Sequence, residues 1–257
     1  MKTLEEWGGK NFMLEVLENY KEGKIGREEA EKRITELFYC RSSEFLLDVK
    51  RENKTGFPEI IFAEGKSIED ILNITEKFLE KNNRAFISKV EKEKKQAIKE
   101  KFRGIKIKEA GTLLIVEKKE RSEKLKGTVC LITAGTSDIN YAEECSLILE
   151  DFGINVIKFY DAGIAGAHRP YLAIERAGDA DLLIIFAGMD GVLPGLVASM
   201  TAKPVIAVPV PTGYGMGGNG RGALITMLQS CVPGILVVNI GNNIGAAAGA
   251  VRIIGKK

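Results

Sequence analysis

The sequence contains very little histidine and cysteine. Of its 257 residues only one is His and four are Cys, and no two cysteines have the CxxC spacing of zinc-binding or redox motifs. A histidine-rich metal site and a disulfide framework are therefore both excluded. The first residues, MKTLEEWGGK, lack the apolar run of a signal peptide, so we expect a reduced, cytoplasmic protein.

Long apolar runs and an excess of one charge are also missing. The longest apolar stretches, near residues 182–187 and 235–238, are far shorter than the roughly 20 residues of a membrane span. Because the sequence has 37 basic and 35 acidic residues, its net charge is only +2, and no strong electrostatic field attracts nucleic acid. With 45% hydrophobic residues the composition is that of a folded globular protein with neither a membrane nor a nucleic acid partner.

Glycine is plentiful but unevenly distributed along the chain. Only 8 of the 28 glycines fall within residues 1–124, although 28 of the 37 basic residues do. This change in composition occurs in the polar segment EKKERSEKLKG and indicates a domain boundary near Leu125. We therefore predict a charged domain over residues 1–124 and a glycine-rich domain over residues 125–257.

The first domain contains both helical and strand-like hydrophobic patterns, which predict a smaller α+β domain. Ser67 and Asp70 have the spacing of a capping box at the start of a helix. A hairpin is predicted over residues 105–117, turning at Ala110 and Gly111. Helices are predicted over residues 12–20, 27–38, 68–81 and 91–102, and strands over residues 45–49 and 59–63.

The second domain alternates apolar, strand-length runs with helix-length segments. Such runs, each followed by a helix, are typical of a doubly wound parallel α/β sheet, which binds ligands beyond the carboxyl ends of its strands. The strands are predicted over residues 129–133, 156–160, 182–186, 205–208 and 235–239, and the helices over residues 140–152, 170–177, 193–200, 222–231 and 246–254.

The loop after the first of these strands, AGTSD, has the outline of a phosphate site. Gly135 allows close approach of the backbone, and Thr136 and Ser137 offer hydroxyl groups beside the start of the next helix. Asp138 is placed to bind ribose hydroxyls. The alternative is an ordinary helix N-cap, for which Ser and Asp are favoured in any case.

The next two loops contain candidate catalytic groups. DAGIAGAHRP holds the only histidine, His168, which can move protons near neutral pH, next to Arg169, whose guanidinium suits phosphate. AGMDGVLPG holds Asp190, a candidate general base. A structural histidine and an ordinary Asp-Gly turn are the respective alternatives.

Two further features lie near the end of the chain. Six of the ten residues over 213–222 are glycine, which suits either a lid over a substrate or a merely flexible loop. Cys231 follows at the end of the helix that this loop begins, where an inert small side chain is the alternative to a catalytic thiol. Cys130 and Cys145 lie within a predicted strand and helix and are expected in the core.

These loops together resemble one enzyme family. GTSD, AHRP and AGMDGVLPGLVASMTAKPVIAVPV are similar, in order and spacing, to the aminoimidazole ribonucleotide carboxylase/mutase family across nearly all of residues 128–257. The resemblance implies a flavodoxin-like domain in which the corresponding hydroxyls, Asp and Arg bind a ribonucleotide phosphate, while the His assists movement of CO2 and a proton. In this chain those residues are Thr136, Ser137, Asp138, Arg169 and His168.

Three departures from the purine enzymes resemble the LarB family of nickel-pincer cofactor biosynthesis. They are the charged N-terminal half, YDAGIAGAHR where the purine enzymes have a simpler SAHR-type loop, and LQSCVPG with its cysteine. The resemblance covers essentially the full length. It implies a pyridinium-3,5-biscarboxylic acid mononucleotide synthase, which carboxylates nicotinic acid adenine dinucleotide at C5 of the pyridinium ring and hydrolyses its phosphoanhydride to release AMP.

This chemistry assigns a task to the cysteine. An electron-poor pyridinium ring does not attack CO2 unless something first donates electrons to it, and a thiolate that adds to the ring does so. Cys231 fits this task, and Asp190 or His168 then removes the ring proton. The resemblance implies a Glu at the position of Asp190, one methylene longer than the Asp of this chain. CO2 is the co-substrate, Mg²⁺ is expected beside the two phosphates, and no organic cofactor is expected.

The resemblance also implies an assembly and a full site. A homo-octamer is expected, with the closing helix over residues 245–254, rich in small side chains, packed against another subunit. The alternatives are a purine-pathway carboxylase or mutase and a nucleotide-binding regulatory module. The expected catalytic residues are Cys231, Asp190 and His168, and the expected substrate-binding residues are Gly135, Thr136, Ser137, Asp138, Arg169, Gly188, Met189, Gly217 and Asn219.

Overall fold

The computed structural model describes residues 9–36, 40–41 and 46–255. These residues fall into two compact units, one within residues 1–107 and 114–119 and the other within residues 108–113 and 120–257. Every predicted site residue lies in the second unit. Parts of two predicted elements, residues 37–38 of a helix and residue 45 of a strand, lie outside the described residues.

The elements up to residue 117 include a four-stranded mixed sheet. Its strand order is β3-β4-β6-β5, with β3 parallel to β4 and β4 antiparallel to β6, as expected of an α+β domain. The elements are α1 (Gly9–Lys21), α2 (Arg27–Glu36), β1 (Cys40–Arg41), β2 (Leu46–Leu47), α3 (Arg51–Thr55), β3 (Ile60–Phe62), α4 (Ile68–Asn82), β4 (Arg84–Ser88), α5 (Lys92–Lys101), β5 (Lys106–Ala110) and β6 (Leu113–Glu117).

The helix α4 shows how local sequence determines this part of the chain. The Ser67 hydroxyl accepts a hydrogen bond from the Asp70 amide, and the Asp70 carboxylate accepts one from the Ser67 amide, so the predicted capping box is confirmed. Ile71 and Phe78 on the apolar face of α4 are buried in the core of the first unit. The predicted hairpin is also present, with Gly111 at a φ of +52° in its turn.

The second unit is built on a five-stranded parallel sheet. Its strand order is β11-β10-β9-β7-β8. The elements are β7 (Thr128–Thr133), α6 (Ile139–Asp151), β8 (Asn155–Phe159), α7 (Arg169–Ala177), β9 (Leu182–Ala187), α8 (Leu193–Ala198), β10 (Val205–Pro209), α9 (Arg221–Leu228), β11 (Ile235–Val237) and α10 (Asn243–Ile254).

The strand order of the parallel sheet indicates where a ligand crevice lies. Numbered within the sheet it is 2-1-3-4-5, the flavodoxin-like order, so the prediction of a doubly wound, flavodoxin-like sheet is confirmed. The chain winds in opposite directions from β7, which pairs with both β8 and β9. In such sheets ligands bind beyond the carboxyl ends of the strands at this switch point, which here lies between β7 and β9.

Burial explains why the sheet was predictable. All residues of β9 and β10 are buried, because helices cover both faces of the sheet. The helices α7, α8 and α9 share one apolar cluster with the strands, whereas α6 packs against α10. Cys130 and Cys145 are fully buried, as predicted.

One prediction for the end of the chain is corrected. The helix predicted over residues 222–231 ends at Leu228, so Cys231 lies in the loop before β11. In α10, Ala246, Ala247 and Ala250 are buried within the chain, whereas Gly245, Ala248 and Gly249 are partly exposed, and the packing of this helix against another subunit stays a prediction. None of the helices in the described part of the chain is both long and apolar enough to span a bilayer.

Candidate active site

The buried carboxylate of Asp138 connects three loops at the carboxyl edge of the parallel sheet. Its Oδ2 accepts a hydrogen bond from the Gly135 amide at 2.9 Å, and its Oδ1 accepts one from the Thr212 hydroxyl at 3.1 Å. The Ser137 hydroxyl lies 3.5 Å from Oδ1, and the Gly188 amide lowers the pKa of this carboxyl. The loops that follow β7, β9 and β10 therefore meet near Asp138.

This arrangement is in part a helix cap. Asp138 is the last residue of the 3-10 turn Thr136–Asp138 that leads into α6, and its hydrogen bond from the Gly135 amide is the reach-back bond of a capping box at that turn, although its side chain makes no capping hydrogen bond to α6 itself. The hydrogen bond from Thr212 is the part that a cap does not explain. Burial raises the pKa of the Asp138 carboxyl, against the opposing effect of the hydrogen bonds from Gly135, Thr212 and Ser137. The carboxylate organises the backbone of the crevice, while Thr136 and Ser137 lie in the short 3-10 turn beside it.

The loop after β9 contacts Thr212 too closely to tolerate a larger residue. A Cβ on Gly188 would lie 1.8 Å from the Thr212 hydroxyl oxygen, so only glycine fits there. The next residue, Met189, has a φ of +46°, its amide donates to the Thr212 carbonyl at 3.2 Å, and its side chain is about half exposed. Nothing in the sequence pattern identified Thr212 as the partner of both loops.

Asp190 is exposed at the start of α8. Its Oδ1 accepts a hydrogen bond from the Val192 amide at 3.3 Å, as in the turn that was the alternative interpretation. The following Gly191 has a φ of +66°, and a Cβ there would lie 2.6 Å from the Ala223 Cα, so the first turn of α9 packs against its backbone. This turn fixes the carboxylate at the mouth of the crevice.

The loop after β8 presents His168 and Arg169 at the start of α7. The Arg169 guanidinium donates through Nη1 to the Asp161 carboxylate at 2.9 Å and to the Asp161 carbonyl at 3.4 Å. His168 is exposed, and its ring makes no hydrogen bond or ion pair with the residues that the structure describes. The histidine is therefore accessible and not part of the core.

The glycine-rich loop is anchored at its ends and exposed at its tip. Tyr214 and Met216 are almost fully exposed. A Cβ on Gly217 would lie 3.0 Å from the Cα of Gly222, so the middle of the loop packs against its C-terminal end, while a Cβ on Gly213 would lie 3.3 Å from Met189, and Asn219 has a φ of +58°. Exposed side chains on a fixed base suit a segment that covers a ligand, and the lid interpretation stays a prediction.

Cys231 is exposed but is not brought to the Asp138 cluster within one chain. The helix α9 begins beside the crevice, where Ala223 packs on Gly191, and its eight residues carry the chain about 12 Å away. Ser230, next to Cys231, lies beside α8, where its hydroxyl would be 3.3 Å from a Cβ on Gly195. The thiol is therefore available to solvent at the opposite end of α9 from the crevice.

The pH dependence of stability tests the burial of Asp138. Because its folded pKa is raised, the stabilisation that accompanies its protonation is complete below the unfolded pKa of about 3.9 and is lost as the pH rises through the folded pKa. We expect the free energy of unfolding of Asp138→Asn, relative to the unsubstituted protein, to rise as the pH increases from 4 to 7.

Urea unfolding followed by circular dichroism at several pH values measures this difference. Asp179→Asn, at an exposed position, is the matched control for the removal of one carboxylate from the surface. A pH-independent difference for Asp138→Asn would contradict the assignment of Asp138 as a buried, hydrogen-bonded carboxyl.

The fold and loops described above match known families. Residues 43–119 match the LarB/PurE-like N-terminal domain, and residues 128–257 match AIR carboxylase. These matches cover both halves of the chain.

Individual relatives agree with these matches. An uncharacterized protein of Methanocaldococcus jannaschii is 42% identical over 93% of this chain and 94% of its own length. The N5-carboxyaminoimidazole ribonucleotide mutase of the same organism is 39% identical over 50% of this chain and 80% of its own length. The phosphoribosylaminoimidazole carboxylase of Saccharomyces cerevisiae is 32% identical over 55% of this chain and 25% of its own length. The chain therefore belongs to the AIR carboxylase family of carboxylase- and mutase-type enzymes, as a LarB-like member with a LarB/PurE-like domain before the AIR carboxylase domain.

Proposed function

We propose that this protein carboxylates the pyridinium ring of nicotinic acid adenine dinucleotide at C5 and hydrolyses the phosphoanhydride, giving pyridinium-3,5-biscarboxylic acid mononucleotide and AMP. The observation that carries the proposal is the exposed free thiol of Cys231 in an AIR carboxylase domain that follows a LarB/PurE-like domain. An aminoimidazole attacks CO2 without help, so a purine enzyme has no use for this thiol.

The proposed carboxylation begins with the thiolate. The sulfur of Cys231 forms a bond to the pyridinium ring, which loses its aromaticity and becomes an enamine. The nucleophilic C5 then forms a carbon–carbon bond with CO2. A base removes the proton from C5, and the ring regains its aromaticity as the carbon–sulfur bond breaks and the thiolate leaves. The cationic ring favours the thiolate by Coulomb attraction, which lowers the pKa of the thiol in the complex.

The loops at the carboxyl edge supply the other proposed roles. Thr136, Ser137 and Arg169 bind a phosphate of the substrate, in hydroxyl and guanidinium contacts of the kind that phosphates prefer. Asp138 joins the loops after β7 and β10, because its carboxylate accepts hydrogen bonds from Gly135 and from Thr212. The glycine-rich loop with Gly217 and Asn219 covers the ligand and excludes water.

The dinucleotide substrate of the hydrolytic step carries two negatively charged phosphates, which would lie in one site. We propose that Mg²⁺ accompanies the pyrophosphate of the substrate, because this ion binds phosphates with few protein ligands. The described residues contain no group of three His, Cys, Asp or Glu side chains arranged to hold a metal, so they do not fit a resident magnesium site.

Assembly of several chains would complete this site. Within one chain α9 separates Cys231 from the crevice, and neither contacts the other through the described residues. We propose a homo-oligomer, an octamer by resemblance, in which a neighbouring chain contributes to each site. Light scattering at micromolar concentration measures the mass, and a monomer would contradict this part of the proposal.

A second function is favoured by one specific observation. The AIR carboxylase domain shares 39% identity with an N5-carboxyaminoimidazole ribonucleotide mutase over 134 residues. A purine-pathway carboxylase or mutase would use His168 and the phosphate loops but not Cys231.

Turnover distinguishes the two functions. The protein is incubated with nicotinic acid adenine dinucleotide and bicarbonate, or with aminoimidazole ribonucleotide and bicarbonate, and products are separated by liquid chromatography with mass detection. We expect AMP and a carboxylated pyridinium mononucleotide from the dinucleotide, in equal amounts. Turnover of aminoimidazole ribonucleotide alone would establish the purine function, and binding of either without turnover would indicate a regulatory module.

A further inference from the structure

Asp161 holds an unusual backbone conformation at the carboxyl end of β8. Its φ of +61° lies in the left-handed region, which Asp and Asn tolerate better than other residues with side chains. Its amide donates to the Thr133 hydroxyl at 3.2 Å, and the amide of the buried Ala162 donates to the Thr133 carbonyl at 2.8 Å. The end of β7 therefore fixes the direction in which the Asp161 side chain leaves the backbone.

That direction leads to Arg169. The guanidinium nitrogen Nη1 contacts both the carboxylate and the carbonyl of Asp161, at 2.9 and 3.4 Å. A Cβ on Gly166 would lie between 2.8 and 3.1 Å from Nε, Cδ and Cγ of Arg169, so the arginine side chain lies flat across the backbone of this glycine. Among the described residues no other hydrogen bond occupies the guanidinium.

Nε and Nη2 of Arg169 make no hydrogen bond with the described residues. Arg169 is anchored through Nη1, whereas Nε and Nη2 form the fork of donors that binds phosphate oxygens in pairs. A side chain that is already ordered loses less conformational entropy when a ligand binds. We propose that Asp161 is a positioning residue, which acts through Arg169 to select ligands that carry a phosphate. The proposal rests on the proposed function in one respect, that Arg169 binds a phosphate of the substrate.

Charge alone predicts the opposite effect. Asp161 is about half exposed and carries a negative charge near the phosphate, so removal of that charge should strengthen phosphate binding on the order of threefold. Loss of the anchor should weaken it, by about three- to tenfold, because the arginine must then be ordered on binding. Two substitutions separate these effects.

Asp161→Asn removes the charge, keeps an acceptor for Nη1 and tolerates the left-handed backbone. Asp161→Gly removes the acceptor without backbone strain, because glycine adopts a positive φ freely. The phosphate preference is the ratio of dissociation constants for nicotinic acid riboside and nicotinic acid mononucleotide, measured by isothermal titration calorimetry on the full chain. We expect Asp161→Asn to keep or increase this preference, and Asp161→Gly, which loses the same charge, to have a preference about three- to tenfold lower than that of Asp161→Asn.

A double-mutant cycle tests whether the effect passes through Arg169. In an Arg169→Ala background, which itself lowers the preference about ten- to a hundredfold, the preferences of Asp161→Gly and Asp161→Asn should differ by less than about twofold, because both substitutions remove the same charge. An equal difference between Asp161→Gly and Asp161→Asn in both backgrounds, or no difference between them in the unsubstituted background, would overturn the proposal. A lower unfolding midpoint with an unchanged preference would show a structural role only, which also overturns it.

The outcome separates this inference from the proposed function. Turnover of the dinucleotide with no coupling between Asp161 and Arg169 would support the proposed function and contradict the positioning role of Asp161. Coupling between the two residues without any turnover of the dinucleotide would support the positioning role and contradict the proposed function. A wild-type protein that shows no phosphate preference overturns the inference directly.

Discussion

Cys231→Ser is expected to abolish the carboxylation of nicotinic acid adenine dinucleotide, with kcat lower by about a thousandfold or more. A serine hydroxyl is not ionised near neutral pH, so it cannot add to the ring as a thiolate does. The fold should be unaffected, because residue 231 is exposed in a loop and fills no space in the core. Loss of activity therefore reports on chemistry.

Intact-protein mass spectrometry provides the direct measurement. Incubation with the dinucleotide should give a covalent adduct on the unsubstituted protein and none on Cys231→Ser. Cys130→Ser is the matched control: burial raises the pKa of the Cys130 thiol to about 11, so it is a poor nucleophile, and its replacement should leave kcat nearly unchanged.

Two results would contradict the thiolate mechanism. One is full carboxylation of the dinucleotide by Cys231→Ser. The other is turnover of aminoimidazole ribonucleotide that does not depend on Cys231, which would support the purine function. If the unsubstituted protein formed the adduct but did not carboxylate it, Cys231 would still be the nucleophile, and the step that fails would be the capture of CO2.

The sequence predicted the sheet of the second unit because its strands are buried on both faces. Leu182–Ala187 and Val205–Pro209 are continuous apolar runs, all of whose residues are buried, and runs of this length between helical segments are typical of parallel strands. The rule that ligands bind beyond the carboxyl ends of parallel strands then placed Thr136, His168 and Asp190 on one edge. The hydrophobic pattern and the topology of parallel sheets were therefore sufficient to predict the strands and the edge of the sheet that carries these residues.

Short or mixed elements escaped prediction. The strand β4 (Arg84–Ser88) begins directly after Asn83, the C-cap of α4, so no turn segment in the sequence separates this strand from the helix. It is nonetheless central in its sheet, and its Arg84 is buried in an ion pair with Glu117 at 2.9 Å. A charged first residue does not suggest a buried strand, because its partner is supplied by β6, more than thirty residues later.

Contacts between loops could not be derived from the chain alone. Thr212 is one residue in a glycine-rich segment, and its bonds to Asp138 and Met189 depend on β10 lying beside β9 and β9 beside β7. The pairing of Asp161 with Arg169 similarly depends on the left-handed turn after β8. The sequence placed Cys231 at a helix end, whereas the helix stops at Leu228, because helix boundaries vary more than helix cores.

Strand order also distinguishes the two candidate bases. Asp190 follows β9, which borders the switch point beside β7, whereas His168 follows β8 at the edge of the sheet. Because the crevice opens between β7 and β9, we expect Asp190 to remove the proton from C5 of the ring. His168 then has at most a supporting role.

Asp190→Asn is accordingly expected to lower kcat for the dinucleotide by about 10²- to 10⁴-fold, while His168→Asn lowers it by less than about tenfold. Asparagine keeps the acceptor for the Val192 amide, so the turn and the fold should persist. With the base removed, the ring cannot regain its aromaticity, and an adduct that is heavier by one CO2 should accumulate on Cys231. Asp190→Glu, which restores the carboxylate with one further methylene, should retain most of the activity.

Mass spectrometry of the adduct and the isotope effect with substrate deuterated at C5 together decide the assignment. An adduct that carries CO2 in Asp190→Asn shows that carbon–carbon bond formation precedes the blocked step, so the carboxylate acts after the thiolate. If instead His168→Asn accumulates this adduct and Asp190→Asn turns over normally, the histidine is the base and Asp190 only closes the turn before α8. A primary isotope effect in the unsubstituted protein would show that proton removal limits the rate, in which case the losses in kcat measure the base directly.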